Sequence, residues 1–480
     1  MSDGHILYWK NMPVTSVYRP EKALLSLDGG FYDAVKPAPF PRTVIRYRNN
    51  RAAATVGLDD LSDAEWIDHF ARFTPLPGTL SEPLAMRYHG YQFRTYNPDL
   101  GDGRGFTFAQ LREAGTGRLL ELGTKGSGQT PWSRQGDGRL TLKGGVREVL
   151  ATEMLEALGV NTSKTLSVIE TGEELWRGDE PSPTRSAVLV RLSHGHVRIG
   201  SFERHAFHED TERLRQLVDY AVTNLMPELA AANDRPLALF RQVVRNSAQL
   251  AAEWMAAGFV HGVLNTDNIN ITGESFDYGP WRFLPTYDPG FTAAYFDHNG
   301  LYAFGRQLET LHWNLCRFAE ALLSIADRDA LIDAIGEYSD LINETIRVAF
   351  MKRLGLARKS PDEDDALLRT FHQFLAESQI GYEQAFFDVY GGPKRGRNFS
   401  SSPAAEKYSS PAFAAFHELW QTYHPSDAAR LGHPYFKRDH PVTMLIDEVE
   451  AIWAPIAKED DWSLFRKKLD DIAVMREAYG

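Results

Sequence analysis

The run from Leu237 to Gly279 constrains this chain more than any other segment. LALFRQVVRNSAQLAAEWMAAG has helical apolar spacing and halts at Gly258. It delivers the chain directly into the polar loop HGVLNTDN and then into FDYGP. The two flanks of this segment differ in kind. Upstream, YHGYQF, FTFAQLRE, GRLLELGTK, KTLSVIE and SAVLVRLS are short, apolar or alternating, and bounded by glycine or polar clusters, which predicts strands. One helix interrupts them, VREVLATEMLEALG, with Val146, Val149, Leu150, Met154, Leu155 and Leu158 on its apolar face and Gly159 at its end. Downstream the pattern is helical, as in YAFGRQLETLHWNLCRFAEALLSI. In KSPDEDDALLRTF, Ser360 suits an N-cap and Pro361 the first turn, with acidic side chains complementing the helix dipole.

A β-rich lobe with one embedded helix, then a helical lobe opening on a polar loop, predicts an α+β, bilobal, protein-kinase-like fold. The expected divisions are an N-terminal extension of loops and extended segments over 1–85, a nucleotide-binding β-rich lobe over 86–198, a helical lobe over 199–345 and a helical C-terminal extension over 346–480. Small-molecule kinases of this layout use HGDxxxxN and a following Asp-x-Gly turn: the first Asp takes the substrate proton, while the Asn and second Asp hold magnesium. Here His261, Gly262 and Asn268 keep the spacing, and Asp277 occupies the turn, but Val263 stands where the base belongs. Asp267 is the nearest replacement carboxylate. Asn268 and Asp277 supply the hard oxygens that Mg²⁺ or Mn²⁺ prefers, and they lie nine residues apart, room for two short strands and a tight connection.

Lys125 ends an apolar strand, and Glu148 lies on the first turns of the embedded helix, the order in which a glutamate orients a phosphate-reaching lysine. Two glycine turns, Gly101-Asp102-Gly103-Arg104 and Gly136-Asp137-Gly138-Arg139, could bring backbone N–H groups close to a nucleotide. No GxxxxGK[ST] is present, so the P-loop class is excluded. Arg191 and Arg198 fall at the join between the lobes, where a planar guanidinium fork suits phosphate oxygens. The alternative is that both arginines make structural ion pairs. His194 and His196 have no carboxylate nearby in the sequence to complete a metal site.

The charge balance, 52 basic against 64 acidic side chains for a net −12, argues against nucleic-acid or anionic-membrane partners. Cys316 is the one cysteine, so neither an intramolecular disulfide nor a cysteine-based zinc site can form. No secretory pattern opens the sequence and no run of eighteen apolar residues occurs, as expected of a cytoplasmic protein.

In order and spacing, HGYQF…LGDGRG, ELGTKGSGQTPWSRQGDGRL, VREVLATEMLEALGV, RLSHGHVRIGSFE and HGVLNTDNINITGESFDYGP with FDHNGLYAFGRQ resemble the selenoprotein O (SelO, YdiU) family of protein adenylyltransferases, which have a pseudokinase fold. The resemblance is dense from about residue 88 to 310. It implies transfer of AMP from ATP to protein hydroxyls, with ATP flipped relative to a kinase so that the γ-phosphate is buried and the α-phosphate exposed. Under it Asp267 is the proton acceptor, and Asn268 and Asp277 are the metal ligands. Gly101, Gly103, Arg104, Lys125, Asp137, Gly138, Arg191, Arg198 and Asp277 line the nucleotide site, and Glu148 orients Lys125. Implied partners are ATP and proteins bearing Ser, Thr or Tyr hydroxyls. UMP transfer, a kinase-like phosphotransferase and an inactive nucleotide-binding scaffold remain as alternatives.

Overall fold

A computed structural model describes residues 15–178 and 180–480. Its first lobe is built on a nine-stranded antiparallel sheet. Along the chain the strands are β1 (Pro20–Glu21), β2 (Tyr32–Ala34), β3 (Val44–Arg48), β4 (Leu84–Met86), a separate hairpin of β5 (Gly90–Gln92) and β6 (Thr95–Asn97), then β7 (Thr107–Arg112), β8 (Leu119–Lys125), β9 (Leu140–Thr141), β10 (Lys164–Leu175) and β11 (Thr184–Ser193). The sheet order is β2-β4-β7-β8-β11-β10-β3, with β1 on β7 and β9 on β11.

The sheet is buried on both faces, and β11 shows why its sequence reads as a continuous apolar run. With period two, Ala187 and Leu189 join the core that contains Val146, Val149 and Leu150, while Val188, Val190 and Leu192 join an opposite core around Trp66, Phe70 and Phe106. The first core belongs to the predicted helix. It runs Leu142–Ala157, four residues earlier than its apolar pattern suggests, because the Thr141 side chain accepts from the Gly144 N–H and caps it.

The opposite core corrects the expectation of loops and extended segments before residue 85. That region supplies four strands of the sheet and two helices, α1 (Asn50–Ala54) and α2 (Asp63–Phe70). Ser62 and Glu65 form a reciprocal capping box at the start of α2, and Trp66 donates to Ser167 Oγ on β10 at 2.8 Å. The helix Leu142–Ala157 is then α3.

The second lobe follows with α4 (Ile199–Phe207), α5 (Thr211–Tyr220) and α6 (Arg235–Ala257), which ends on Gly258 in the left-handed region at φ +65°. A short strand β12 (Phe259–Val260) pairs with β13 (Arg282–Phe283) and brackets the polar loop. The rest is helical: α7 (Gln307–Leu322), α8 (Arg328–Gly336), α9 (Tyr338–Arg353), α10 (Pro361–Ser378), α11 (Tyr382–Val389), α12 (Pro411–Trp420), α13 (Ile446–Glu459) and α14 (Ser463–Tyr479). Ser360 caps α10 with a capping box to Glu363, as the sequence predicts. Among the described residues no helix is long and apolar enough to cross a membrane.

Buried polar side chains of α7 fix the loop. Gln307 accepts from the His261 N–H at 3.1 Å and donates to the Phe259 carbonyl at 2.9 Å, and Asn314 donates to the Leu264 carbonyl at 2.9 Å. His261 Nε2 contacts the Phe276 carbonyl at 3.0 Å, tying the loop to the Asp-Tyr-Gly turn. Between Asn268 and Asp277 the structure departs from the expected pair of strands. Asn270 bridges to Arg198 and Ser275 to Thr162, so the segment pairs outward with two different neighbours rather than with itself.

Candidate active site

A cavity of about 750 Å³ lies between the lobes. Its walls include Gly101, Gly103, Arg104, Lys125, Asp137, Gly138, Arg191, Arg198, Asp267, Asn268 and Asp277, so residues spread over 177 positions of sequence converge on one cleft. Glu148 lies beneath that surface rather than on it.

At the inner end, antiparallel pairing of β8 with β11 sets Lys125 opposite Leu189 and Gly123 opposite Arg191. Lys125 is 4% exposed, pairs with Glu148 of α3, and reaches Asp277 Oδ1 at 2.9 Å. Arg191 approaches the same oxygen at 3.9 Å. Burial alone would raise the Asp277 carboxyl, but Lys125, Arg191 and Arg198 outweigh it and hold the group well below the usual carboxylate range. Asp277 adopts φ +64°, a conformation that an Asp in a tight turn tolerates better than most residues.

Arg198 is anchored by Asp267 O at 3.0 Å and Asp102 Oδ1 at 3.4 Å, and its guanidinium lies 4.2 Å from the Tyr88 ring centroid. Arg198 and Arg191 both lie against the Phe276 ring, with guanidinium carbons 5.0 and 5.3 Å from its centroid. Arg191 is buried, and its Nε and Nη1 have no hydrogen-bond partner among the described residues. Such donors fit an anion with several oxygens.

On the polar loop, Asp267 is 7% exposed, and burial pushes its carboxyl up to about 6 despite the opposing charge of Arg198. Its Oδ1 has no partner among the described residues, and Oδ2 receives only a long 3.5 Å contact from Gln92. Asn268 donates its amide hydrogen to the Val263 carbonyl at 3.0 Å, which leaves its oxygen as the available donor atom. That oxygen together with the Asp277 carboxylate is a hard donor set of the kind Mg²⁺ or Mn²⁺ takes.

The glycine turns form the outer wall. At Gly138, φ is +69° and a Cβ would stand 2.2 Å from the Gly128 carbonyl carbon. At Gly101 a Cβ would meet the Trp132 ring at 2.3 Å. Side chains are therefore excluded at both turns. The carboxylate of Asp137 is engaged by Arg177 at 2.8 and 3.1 Å, at the rim.

His194 and His196 need a correction. The fold brings Glu121 to within 2.8 Å of His196 Nδ1, although no carboxylate is near in sequence. Even so, no group of three metal-ligating side chains forms there among the described residues. The sequence reading also missed Tyr88 and Gln92, and it named Asp102 only as part of a glycine turn, not as a carboxylate that anchors Arg198; these roles depend on strand and loop pairing. Glu203 of α4 was missed too. It is 4% exposed, its Oε2 accepts from Thr266 Oγ1 at 2.6 Å, and Thr266 in turn accepts from the Tyr91 N–H at 2.8 Å.

Burial pushes the Glu203 carboxyl up to about 8. Its folded-state value exceeds the unfolded one, so the associated stability is full below about pH 4.5 and is lost as pH rises towards 8. Glu203→Gln should therefore gain stability over the wild type by on the order of 2–4 kcal/mol between pH 5 and pH 8. Urea unfolding at the two pH values measures this, and a gap that does not widen would place Glu203 as an ionised group.

The family described as "Protein adenylyltransferase SelO" matches residues 15–473. A curated relative from Synechocystis sp., "Protein nucleotidyltransferase YdiU", is 42% identical over 93% of this chain and 96% of its own length. The relative of that name from Gloeobacter violaceus is 44% identical over 96% and 95%. Another from Azotobacter vinelandii is 38% identical over 76% and 74%. A match over nearly the whole chain, with relatives of comparable length, settles the assignment: the chain belongs to the SelO family of protein adenylyltransferases and is a nucleotidyltransferase.

Proposed function

We propose that this protein transfers AMP from ATP to Ser, Thr or Tyr hydroxyls of other proteins, with ATP entering triphosphate first. The observation that carries this reading is Arg191. A buried guanidinium with two nitrogens lacking partners is costly unless an anion completes it. Arg198 and Lys125 flank the same inner pocket, so three cationic side chains converge at the buried end of the cleft. A β,γ-diphosphate drawn to that end leaves the α-phosphorus nearer the mouth.

In this reading the acceptor oxygen attacks the α-phosphorus as the bond to the bridging oxygen of pyrophosphate breaks. Asp267 takes the hydroxyl proton. Its buried carboxyl, about 6, is ionised at neutral pH yet basic enough to hold a proton. Val263 is no handicap, because the reacting phosphorus no longer sits where a kinase base would reach it. Lys125, held by Glu148, and the two arginines neutralise the polyphosphate. Asn268 and Asp277 would hold Mg²⁺ or Mn²⁺, which supplies further charge neutralisation when bound. The glycine turns would cover the nucleotide.

Intact-mass analysis of the protein and a mixed protein substrate, after separate incubations with ATP and with UTP in Mg²⁺ or Mn²⁺, tests this. Adenylyl adducts are expected. Phosphoryl adducts would establish a kinase, uridylyl adducts formed only with UTP would reassign the nucleotide, and ATP binding without any adduct would establish a scaffold.

A further inference from the structure

The two C-terminal helices do not lie against the second lobe alone. They return to the first and grip α3, the helix that carries Glu148. From α14, Arg476 pairs with Glu153 and approaches Glu156 Oε2 at 3.3 Å. Glu153 also accepts from Tyr47 Oη at 2.9 Å and from Asn49 Nδ2 at 3.0 Å, both on the first-lobe side. Glu156 is shared with Arg51 and with Lys164, the latter at 3.0 Å. Beneath this network Ile472 and Met475 of α14 are fully buried in the core that holds Leu150 and Met154 of α3. At the other end of α3, Lys143 pairs with Glu450 of α13 at 2.8 Å.

The geometry of a helix gives these contacts a consequence. At about 100° per residue, the five positions from Glu148 to Glu153 put them about 140° apart. One face of α3 thus presents Glu148 to Lys125, and the far face is held by Arg476. Rotation or outward tilt of α3, which would break the Lys125–Glu148 pair, has to break the Arg476 contacts as well. By the same spacing Glu156 lies about 80° from Glu148, between that far face and the lysine-facing one. Both carboxylates are buried enough for the network to resist screening, with side chains 10% and 18% exposed.

We propose that Arg476 is a positioning residue for the nucleotide site. Through Glu153 and Glu156 it fixes α3 in the rotation at which Glu148 holds Lys125, so the C-terminal helix is an integral part of the phosphate-binding apparatus. The proposal rests on the reading of the cleft as the ATP site, and its test is equilibrium binding of ATP with Mg²⁺ to the full chain.

Arg476→Ala should weaken ATP binding about tenfold, and by less than about twofold once Glu148→Gln is already present, because coupled residues are non-additive. Arg476→Lys, which keeps the charge, should recover most of the affinity. A mere packing role predicts the same fractional loss in both backgrounds, and that result, or unchanged affinity in the otherwise native chain, would overturn the proposal. If Arg476→Ala fails to fold, Glu156→Gln removes one of its two carboxylate partners and is read in the same way. Lys125→Ala separates the two ideas. Unchanged affinity there rejects the nucleotide site itself, whereas a large loss beside a silent Arg476→Ala rejects the clamp alone.

Discussion

Asp267→Asn should reduce nucleotidyl transfer by about 10²–10⁴-fold while leaving ATP affinity within about twofold, the signature of losing a proton acceptor. Asn has nearly the same shape and cannot accept the hydroxyl proton. The native carboxylate makes little structural use of its oxygens: Oδ1 has no partner among the described residues, and Oδ2 has only the long contact to Gln92. What anchors this stretch is the Asp267 carbonyl, which accepts from Arg198 and is untouched by the substitution. Neighbouring Thr266 is held independently by Glu203 and Tyr91. The loop should therefore keep its conformation, and single-turnover adenylylation beside direct ATP binding measures the two effects separately. Full activity in Asp267→Asn would remove Asp267 as the base. Loss of ATP binding in parallel would reassign it to holding the nucleotide.

How far the sequence revealed this molecule depends on the reach of each interaction. Local signals were sufficient where one element's own residues decide its form: Gly258 ending α6, Ser360 capping α10, and the apolar face of α3. The lysine, glutamate and Asp-Tyr-Gly turn could be read because each sits in a local pattern of its own: a strand end, the first turns of a helix, a tight turn. Residues before 85 misled because β1 to β4 have only two to five residues, too short to display alternation, and their pairing partners are distant in sequence. The capping box at Ser62 and Glu65 was a readable sign of α2 that strand-like punctuation obscured. Tyr88 and Glu203 carry no motif, and the glycine turn that contains Asp102 gives no sign of what its carboxylate holds. All three matter because the fold sets them against Arg198 and Thr266, a fact of tertiary contact alone. The same holds for Arg476, an unremarkable helix residue until α14 meets α3.

Arg191→Met separates a phosphate clamp from a structural ion pair, since the two roles predict opposite effects on the empty protein. As a structural partner of Asp277, Arg191 should stabilise the fold, and its loss should lower stability. The geometry favours the other outcome. The contact with Asp277 is 3.9 Å, beyond hydrogen-bond range, whereas Lys125 holds that same oxygen at 2.9 Å and remains after the substitution. Two buried guanidinium nitrogens have no partner among the described residues, so a flexible apolar side chain of similar length relieves their desolvation and keeps contact with Phe276. Stability without nucleotide should thus be unchanged or higher, by up to about 1–2 kcal/mol. ATP binding should weaken by roughly 10–100-fold, the range for one or two charge-assisted hydrogen bonds at 1.5–3 kcal/mol. Thermal unfolding with and without ATP reads both quantities in one experiment, because the upward shift given by ligand reports its affinity. A variant that unfolds earlier yet keeps the full ATP-induced shift would make Arg191 a structural residue. The triphosphate-inward orientation would then lose its principal support.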